Sequence, residues 1–461
     1  MKTLKLSHDS RPRGRSVRLA LSASLLLPLA SVFSLGALVS VLTASPAAAI
    51  VTGLPYIPLT PSRICDTRAA VSGVIVANQC DNSGAGAALG AGATLTITVP
   101  SLPAGATAAV LNVTVTNTTA PSFLTAWPAG TTRPVVSNLN WVAGQTVANL
   151  AEVTLGASNQ VSFYNNTGST DVVVDLEGYV GTSLGAGTGL YNPLPPARIC
   201  DTRAAVSGVV ASNPCNNNGT GTGTLGPAAT LAVQVTGNGG VPPSGVAAVV
   251  LNVTATNTTA ASYFSVWPVG ASQPIVSNLN WVAGQTVPNR VIVPLGTGGK
   301  VNVFNYAGSA DLVIDVGGWF TDNSNAGATG QLYNALSPTR ICDTRAVQAG
   351  LIAANECNHN GTGTGTLGNA TAVVQVTGQG GVVSGATAVV ANVTVTNTTA
   401  SSYLTVWPDG ATQPLVSYLN WVAGQTVPNL VVVKLGADGA VDLFNYAGST
   451  DVAVDVEGYY M

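Results

Sequence analysis

The stretch SNLNWVAGQTV occupies residues 137–147 and returns unchanged at residues 277–287. It occurs a third time at residues 417–427, where Tyr418 replaces an asparagine. Three copies at a spacing of 140 residues indicate a tandem repeat of one folding unit. Because this period is far longer than that of a solenoid, each copy is large enough to be a domain with its own core.

Two further segments mark the limits of each copy. The box RICDTR opens the copies at residues 63–68, 198–203 and 340–345. An acidic, strand-like segment closes them: DVVVDLEGYV from Asp171, DLVIDVGGWF from Asp311 and DVAVDVEGYY from Asp451. Runs rich in Gly, Ser and Asn separate the copies and are typical of linkers. The sequence predicts modules over residues 50–182, 183–323 and 324–461.

Within a copy, apolar and polar residues alternate. In AVLNVTVTNT, from Ala109, the alternation turns Leu111 and Val113 inward and Asn112 and Thr114 outward. Similar short segments recur roughly every 8–12 residues, separated by turn residues, and no convincing helical period is present. We predict an all-β protein of three tandem antiparallel β-sandwich modules, jelly-roll-like in their connections.

The first 49 residues have the order of a secretory signal peptide. Six of the sixteen basic residues precede an uncharged, mostly apolar run at residues 19–43, and Ala47, Ala48 and Ala49 follow as a cleavage site. The run is long enough to span a bilayer, so an uncleaved anchor is the alternative. Cleavage predicts a secreted chain, extracellular or associated with the cell wall, with no membrane contact.

The composition after cleavage excludes several functions. Ten Lys and Arg then stand against eighteen Asp and Glu, a net charge near −8 that argues against nucleic-acid binding. His359 is the only remaining histidine, so no histidine-assisted nucleophile can recur in the copies. No cofactor is predicted and no metal site is assigned, although Asp81 and Asn82 on a Gly-rich loop leave a weak calcium site open.

Two cysteines fall in each copy, always fifteen residues apart. In an exported chain, repeated even pairs predict one local disulfide per module, since two thiolates with almost no histidine cannot complete a zinc site. The predicted pairs are Cys65–Cys80, Cys200–Cys215 and Cys342–Cys357.

Most of the remaining positive charge lies in the repeated box. The six arginines are Arg63, Arg68, Arg198, Arg203, Arg340 and Arg345. We expect them to form partly buried ion pairs with the box aspartates and with aspartates of the closing strand, because the rigid guanidinium binds carboxylates bidentately. These aspartates are Asp66, Asp201 and Asp343, then Asp175, Asp315 and Asp455. An anion or carboxylate clamp is the alternative.

Asparagine, glutamine and tryptophan residues form the candidate ligand face. Aromatic rings can stack on sugars while amides bind hydroxyl groups, although Leu139 and Trp141 are expected in the core. The asparagines and glutamines are expected to face outward, whereas core and surface positions are equally open for the tryptophans that precede proline. The candidates are Asn138, Asn140, Gln145, Trp127, Asn278, Asn280, Gln285, Trp267, Asn420, Gln425 and Trp407.

The closing strand supports a weaker alternative. Strand geometry places Asp175 and Glu177 about 6–7 Å apart on one face, near the spacing of an inverting glycosidase. The second copy, however, has Gly317 where Glu177 stands in the first. A glycoside hydrolase is therefore the least favoured reading.

The motif order resembles repeat modules of secreted and surface proteins of actinobacteria. Those modules open with P-x-R-x-x-D-T-R, here at residues 61–68, 196–203 and 338–345, continue with S-N-L-N and G-Q-T-V-P-N, and end in D-V-x-G-Y. Departures are Ala148 in place of proline and the segment from Gly317 to Trp319. The resemblance implies export and a non-catalytic accessory role, with no catalytic residues to transfer.

The sequence thus predicts a non-enzymatic surface protein that binds cell-wall or extracellular glycan through its repeated modules. A structural or adhesive protein that acts through module–module or protein–protein contacts is the second interpretation, with a surface protein as its partner. The glycosidase is the third.

Overall fold

The computed structural model describes residues 53–71, 77–182, 188–205, 211–216, 218, 223–324, 329–347, 357 and 365–461. The predicted signal peptide and His359 lie outside these residues. Residues Val51–Met461 form one compact unit. In the described part of the chain, no helix has the length and apolar character needed to cross a membrane.

Each repeat contains eight described strands. The first has β1 (Tyr56–Asp66), β2 (Thr94–Thr98), β3 (Ala108–Thr116), β4 (Ser122–Pro128), β5 (Leu139–Trp141), β6 (Val147–Thr154), β7 (Gln160–Asn165) and β8 (Asp171–Val180). The second has β9 (Tyr191–Asp201), β10 (Thr230–Gln234), β11 (Val246–Thr256), β12 (Ser262–Pro268), β13 (Leu279–Trp281), β14 (Val287–Pro294), β15 (Lys300–Asn305) and β16 (Asp311–Thr321). The third has β17 (Tyr333–Asp343), β18 (Ala370–Gln375), β19 (Ala388–Thr396), β20 (Ser402–Pro408), β21 (Leu419–Trp421), β22 (Val427–Lys434), β23 (Ala440–Asn445) and β24 (Asp451–Tyr460).

The strands of each repeat form two four-stranded antiparallel sheets. In the first repeat the orders are β1-β8-β3-β6 and β2-β7-β4-β5, and both orders recur in the other two repeats. Within each repeat this is the strand order of a jelly roll, built from two Greek keys. Short 3-10 turns at Ala157–Asn159 and Pro214–Asn216 are the helical segments of the described chain. The prediction of an all-β fold is confirmed.

Each pair of sheets encloses an apolar core. In the first repeat, Leu111 and Val113 of β3 pack with Leu124 and Phe163 of the other sheet, and Trp141 closes the core beside them. These residues hold alternate positions along their strands, as side chains on one face of a pleated sheet must.

The six sheets form a propeller-like ring, and the prediction of three separate β-sandwich modules is wrong. The second face of the sheet that contains β3 and β8 is buried as well, since all ten residues of β8 are buried. Asn112 and Thr114, predicted to face outward, have exposures of 0% and 3%. Their face is covered because neighbouring repeats pack against it.

Hydrogen bonds close the ring in one direction. A buried asparagine on the third strand of each repeat donates to a serine carbonyl oxygen of the next repeat: Asn112 to Ser277 at 2.8 Å, Asn252 to Ser417 at 2.9 Å and Asn392 to Ser137 at 2.6 Å. The last bond joins the third repeat to the first. The three repeats therefore have approximate threefold symmetry.

Asn149, Asn289 and Asn429, here called the asparagine ring, lie at the meeting point of the repeats with exposures of 0–1%. Asn289 donates to the backbone oxygen of Asn278 at 2.6 Å and to the side-chain oxygen of Asn112 at 2.9 Å. Its own side-chain oxygen accepts the N–H of Leu150 at 3.2 Å. The other two members make equivalent bonds. Each buried amide is satisfied by two repeats at once.

A fourth apolar cluster is shared by all three repeats. Its aromatic rings run in a chain with centroids 4.2–5.2 Å apart, formed by Tyr56, Phe320, Tyr191, Tyr460 and Tyr333. The hydroxyl of Tyr333 donates to the backbone oxygen of Glu457 at 3.0 Å, and a Cβ at Gly458 would overlap this tyrosine. The glycine of the closing motif therefore makes room for a tyrosine of the opening strand.

Substitution Asn429→Ala tests whether the repeats form one cooperative unit. It leaves buried groups of Asn252, Tyr418 and Arg290 unpaired, so we expect a loss of about 2–4 kcal/mol in the free energy of unfolding. Urea denaturation followed by tryptophan fluorescence and far-UV circular dichroism should show one transition with coincident midpoints.

The matched control is Asn166→Ala, which removes an exposed asparagine and should change stability by less than about 0.5 kcal/mol. Separate transitions for the three repeats, or equal effects of both substitutions, would contradict the shared core.

Candidate functional site

A cavity of about 500 Å³ lies where the SNLNWVAGQTV segments of the three repeats meet. Six of the eleven predicted ligand residues line it: Asn140, Asn280, Asn420, Gln145, Gln285 and Gln425. Threonines 146, 286 and 426 lie between them, and half-exposed Val422 also lines the cavity. Residues that are 140 positions apart in sequence thus form one site.

Strand and turn geometry together position these amides. On β5, Leu139 and Trp141 enter the core, so Asn140 between them must point to the opposite face. A turn follows in which Gly144 has φ +78°, a conformation that glycine adopts without strain. The side-chain oxygen of Gln145 accepts the N–H of Val142 at 2.9 Å and holds the turn closed.

The amides keep free hydrogen-bonding capacity. Asn140 donates to the hydroxyl of Ser137 at 3.1 Å, and its counterparts make the same bond at 3.3 and 3.2 Å. Among the described residues, Oδ1 of Asn140 and Nε2 of Gln145 have no hydrogen-bond partner. The cavity therefore presents acceptors and donors from three repeats, and none of the residues that line it is charged.

Stacked tyrosines lie beside the cavity, and the sequence analysis missed them. Tyr403 and Tyr446 line it, with ring centroids 5.0 Å apart, an interplanar angle of 14° and Tyr446 54% exposed. Tyr263 and Tyr306 form an equivalent pair in the second repeat. The available signal was the motif F-N-Y-A-G, which ends the seventh strand in the second and third copies only.

Two of the predicted ligand residues are interior instead. Asn138 and Asn278 have exposures of 1% and 0%, so the predicted outward orientation is wrong. The side-chain oxygen of Asn138 accepts the N–H of Ala126 at 2.7 Å, and its amide nitrogen donates to Glu457 of the third repeat at 2.7 Å. Asn278 bonds Glu177 of the first repeat in the same way. The neighbouring repeat occupies the side on which solvent was expected.

The tryptophans that precede proline are also interior. Trp127, Trp267 and Trp407 are 4–6% exposed and do not line the cavity. Each indole N–H donates to a backbone oxygen four residues later, that of Thr131 for Trp127 at 3.2 Å. These rings support a turn, and the structure does not bring them to the amide residues.

The arginine box meets the closing strand in every repeat. Arg63 donates to both oxygens of Asp175, at 2.8 and 3.1 Å, and to Asp66 at 3.3 Å, while Arg68 donates to Asp66 at 2.9 and 2.6 Å. Arg198 and Arg203 bind Asp315 and Asp201 equivalently, as Arg340 and Arg345 bind Asp455 and Asp343. Two cations face two anions, so each box together with the aspartate of its closing strand carries no net charge.

The three disulfides are present. They join Cys65 to Cys80, Cys200 to Cys215 and Cys342 to Cys357, as predicted from the fifteen-residue spacing. Stable disulfides indicate that the chain folds in an oxidising environment.

Buried carboxyl groups lie at two of the junctions between repeats. Burial raises the pKa of Glu177 to about 8, with a contribution from Asp175, although the N–H of Ile292 and the amide of Asn278 lower it. Burial likewise raises the pKa of Glu457 to about 8. Glu152 has its pKa raised by burial and by the charge of Glu457. None of these acids lines the cavity, and Asp175 is held by Arg63.

The third junction is built differently. Here Gly317 replaces the glutamate and Tyr418 replaces the asparagine, and both substitutions were seen in the sequence as unrelated departures. Arg290, where the other repeats have leucine, is 1% exposed and lies over the Tyr418 ring at 5.0 Å from the ring centroid. Its Nη1 would be 3.4 Å from a Cβ at Gly317. Arginine and tyrosine therefore fill the space that glutamate and asparagine fill elsewhere.

No family model matches the chain, and no curated protein matches it. Two similar solved structures are described as "Life in the extremes: atomic structure of Sulfolobus Turreted Icosahedral Virus" and "The Triple Jelly Roll Fold and Turret Assembly in an Archaeal Virus". Each is 10% identical over 88% of this chain, covering 91% and 90% of those chains, with a TM-score of 0.18. At this TM-score the likeness supports no argument about fold or function.

The buried glutamates predict that stability depends on pH. Their folded pKa values of about 8 lie above the ordinary 4.5, so the folded state binds protons more tightly than the unfolded state. We expect the contribution of these two glutamates to the free energy of unfolding to be greatest below pH 4.5 and to fall as the pH rises to about 8. Urea denaturation at a series of pH values measures this.

The variant Glu177→Gln/Glu457→Gln should flatten that dependence, because an amide cannot titrate. Asp322→Asn, which removes a carboxylate outside these two junctions, is the control and should change the dependence much less. A stability that rises between pH 5 and 8, with no response to the glutamine variant, would contradict the assignment.

The unusual junction predicts coupled substitutions. Tyr418→Asn alone should lower the free energy of unfolding by about 3 kcal/mol. The smaller side chain leaves a cavity, and its buried amide has no glutamate to bond at this junction. Adding Gly317→Glu and Arg290→Leu recreates the pair of the other junctions and should recover most of the loss. Chemical denaturation of all combinations measures the coupling, and simple additivity would show that the three positions act independently.

Proposed function

We propose that this chain is a secreted, non-catalytic surface protein that binds a cell-wall or extracellular glycan in the cavity where its three repeats meet. One observation carries the proposal: six amide side chains from three repeats converge on a single cavity whose lining holds no charged residue. Amides and hydroxyls can exchange hydrogen bonds with sugar hydroxyl groups, and the exposed ring of Tyr446 offers an apolar surface for a sugar ring.

Export is supported by three separate features. The three disulfides fit an oxidising compartment. The first 49 residues have signal-peptide order. The motif order resembles modules of actinobacterial secreted and surface proteins, and this resemblance favours a ligand at a bacterial surface.

Retention on insoluble polymers tests the proposal. The purified protein is incubated with peptidoglycan, cellulose, chitin, xylan and mannan, and bound protein is measured after sedimentation. We expect retention on at least one polymer, and about tenfold weaker binding for Asn420→Ala/Gln425→Ala, because each lost hydrogen bond contributes roughly 0.5–1.5 kcal/mol.

The control is Asn166→Ala, which removes an exposed amide that does not line the cavity. If no polymer retains the protein, or if both variants bind like the unmodified chain, the glycan site is refuted.

A structural or adhesive role is the second candidate, and exposed apolar residues favour it. Val135, Ile275 and Leu415 hold equivalent positions in the three repeats, follow a proline and are 59%, 63% and 73% exposed. Self-association measured by sedimentation velocity, and weakened by Leu415→Ser, would support this role in place of glycan binding.

A further inference from the structure

A second concave surface adjoins the cavity. A groove of about 580 Å³ lies between the second and third repeats. Arg198, Arg203 and Thr256 line it from the second repeat, and Gln413 and Leu415 from the third. Its walls therefore combine hydroxyl, amide and apolar groups with two guanidinium groups.

Cavity and groove are adjacent and share part of their lining. Four residues line both of them: Thr286, Tyr403, Asn420 and Tyr446. Each volume lies within the range of about 300–1,000 Å³ that holds one drug-sized ligand. A ligand that reaches from the cavity past the tyrosine stack into the groove must be longer than a single sugar ring.

The groove is electrically balanced despite its two arginines. Arg198 binds Asp315 at 2.8 Å and Asp201 at 3.3 Å, and Arg203 binds Asp201 at 2.6 Å. Both guanidinium groups are thus occupied by carboxylates. An anionic ligand would have to compete with these bonds, whereas an uncharged ligand would not.

The tyrosine stack distinguishes the junctions. The second repeat has the pair Tyr263 and Tyr306, 5.0 Å apart with Tyr306 58% exposed. The first repeat has Asn166 at the position of Tyr306 and Phe123 at the position of Tyr263, so it has no tyrosine stack. Two of the three repeats therefore present an open aromatic surface.

We propose that the ligand is an extended, uncharged polysaccharide chain that runs from the cavity across a tyrosine stack into the groove between repeats. Tyr403 and Tyr446 lie on this path, whereas the equivalent pair Tyr263 and Tyr306 lines neither the cavity nor the groove. This inference rests on the proposed function, and it specifies the class and length of the ligand.

The test uses the full mature chain and the polymer that retains it, together with oligosaccharides of increasing length prepared from that polymer. Tyr446→Ala should weaken binding about fivefold, since a stacked ring contributes on the order of 1 kcal/mol. Tyr164→Ala removes a ring of the first repeat that lines neither the cavity nor the groove; it is the control and should change binding less than twofold. Tyr446→Phe keeps the ring and should bind like the unmodified chain, and thermal unfolding of each variant checks that it is folded.

Two further measurements address length and charge. Affinity measured by calorimetry should increase with oligosaccharide length before it levels off, and it should change less than about twofold between low and high salt.

The outcomes separate the two proposals. Retention on a polymer, with tyrosine variants that bind normally and no dependence on length, overturns the extended path and leaves the cavity site intact. A tenfold loss of affinity in high salt overturns the uncharged ligand. Failure of every polymer to retain the protein overturns the proposed function and this inference together.

Discussion

The asparagine ring is the interaction on which the rest of the structure depends. Asn149, Asn289 and Asn429 are buried amides, and a buried amide without partners costs roughly 1–3 kcal/mol for each unsatisfied group. Each finds its partners only in two repeats at once. A single repeat would therefore bury unsatisfied polar groups or expose the face that holds them. This constraint, with the aromatic cluster shared by all three repeats, explains why residues Val51–Met461 form one compact unit.

Near-identical repeats raise a second problem, because a symmetric ring does not specify which repeat follows which. Two junctions pair a buried glutamate with an asparagine, whereas the third pairs Gly317 with Tyr418 and Arg290. If the repeats packed in another order, a buried glutamate would face Tyr418 in place of an asparagine. Arg290 would then occupy a position that leucine fills at the other two junctions. These mismatches disfavour any other order of the repeats around the ring. Buried polar groups specify pairing in the same way in other assemblies.

Local patterns in the sequence were sufficient to predict the repeats, the all-β fold and the disulfides, because these depend on spacing within one copy. The burial of Asn112 and Asn138 could not be predicted in this way. An alternating strand shows which face is polar, but water and a polar neighbouring repeat satisfy asparagine equally well. The same ambiguity affected the ligand face, where Asn140 and Gln145 line the cavity and Asn138 and Trp127 do not. The tyrosine stack was missed because its two rings come from different strands, separated by about forty residues of chain.

One short strand links assembly to the proposed binding site. Asn138, the residue before β5, donates a hydrogen bond to a glutamate of another repeat, and Asn140 within β5 lines the cavity. The cavity has amides from three repeats only when the ring is closed, so a ligand that uses them binds the assembled state alone. By linkage, such a ligand at one hundred times its dissociation constant would stabilise the closed ring by about 2.7 kcal/mol. Ligand binding in the cavity would then stabilise the same junctions between repeats that the asparagine ring holds together. The closed ring would therefore become more stable as the fraction of occupied cavities rises.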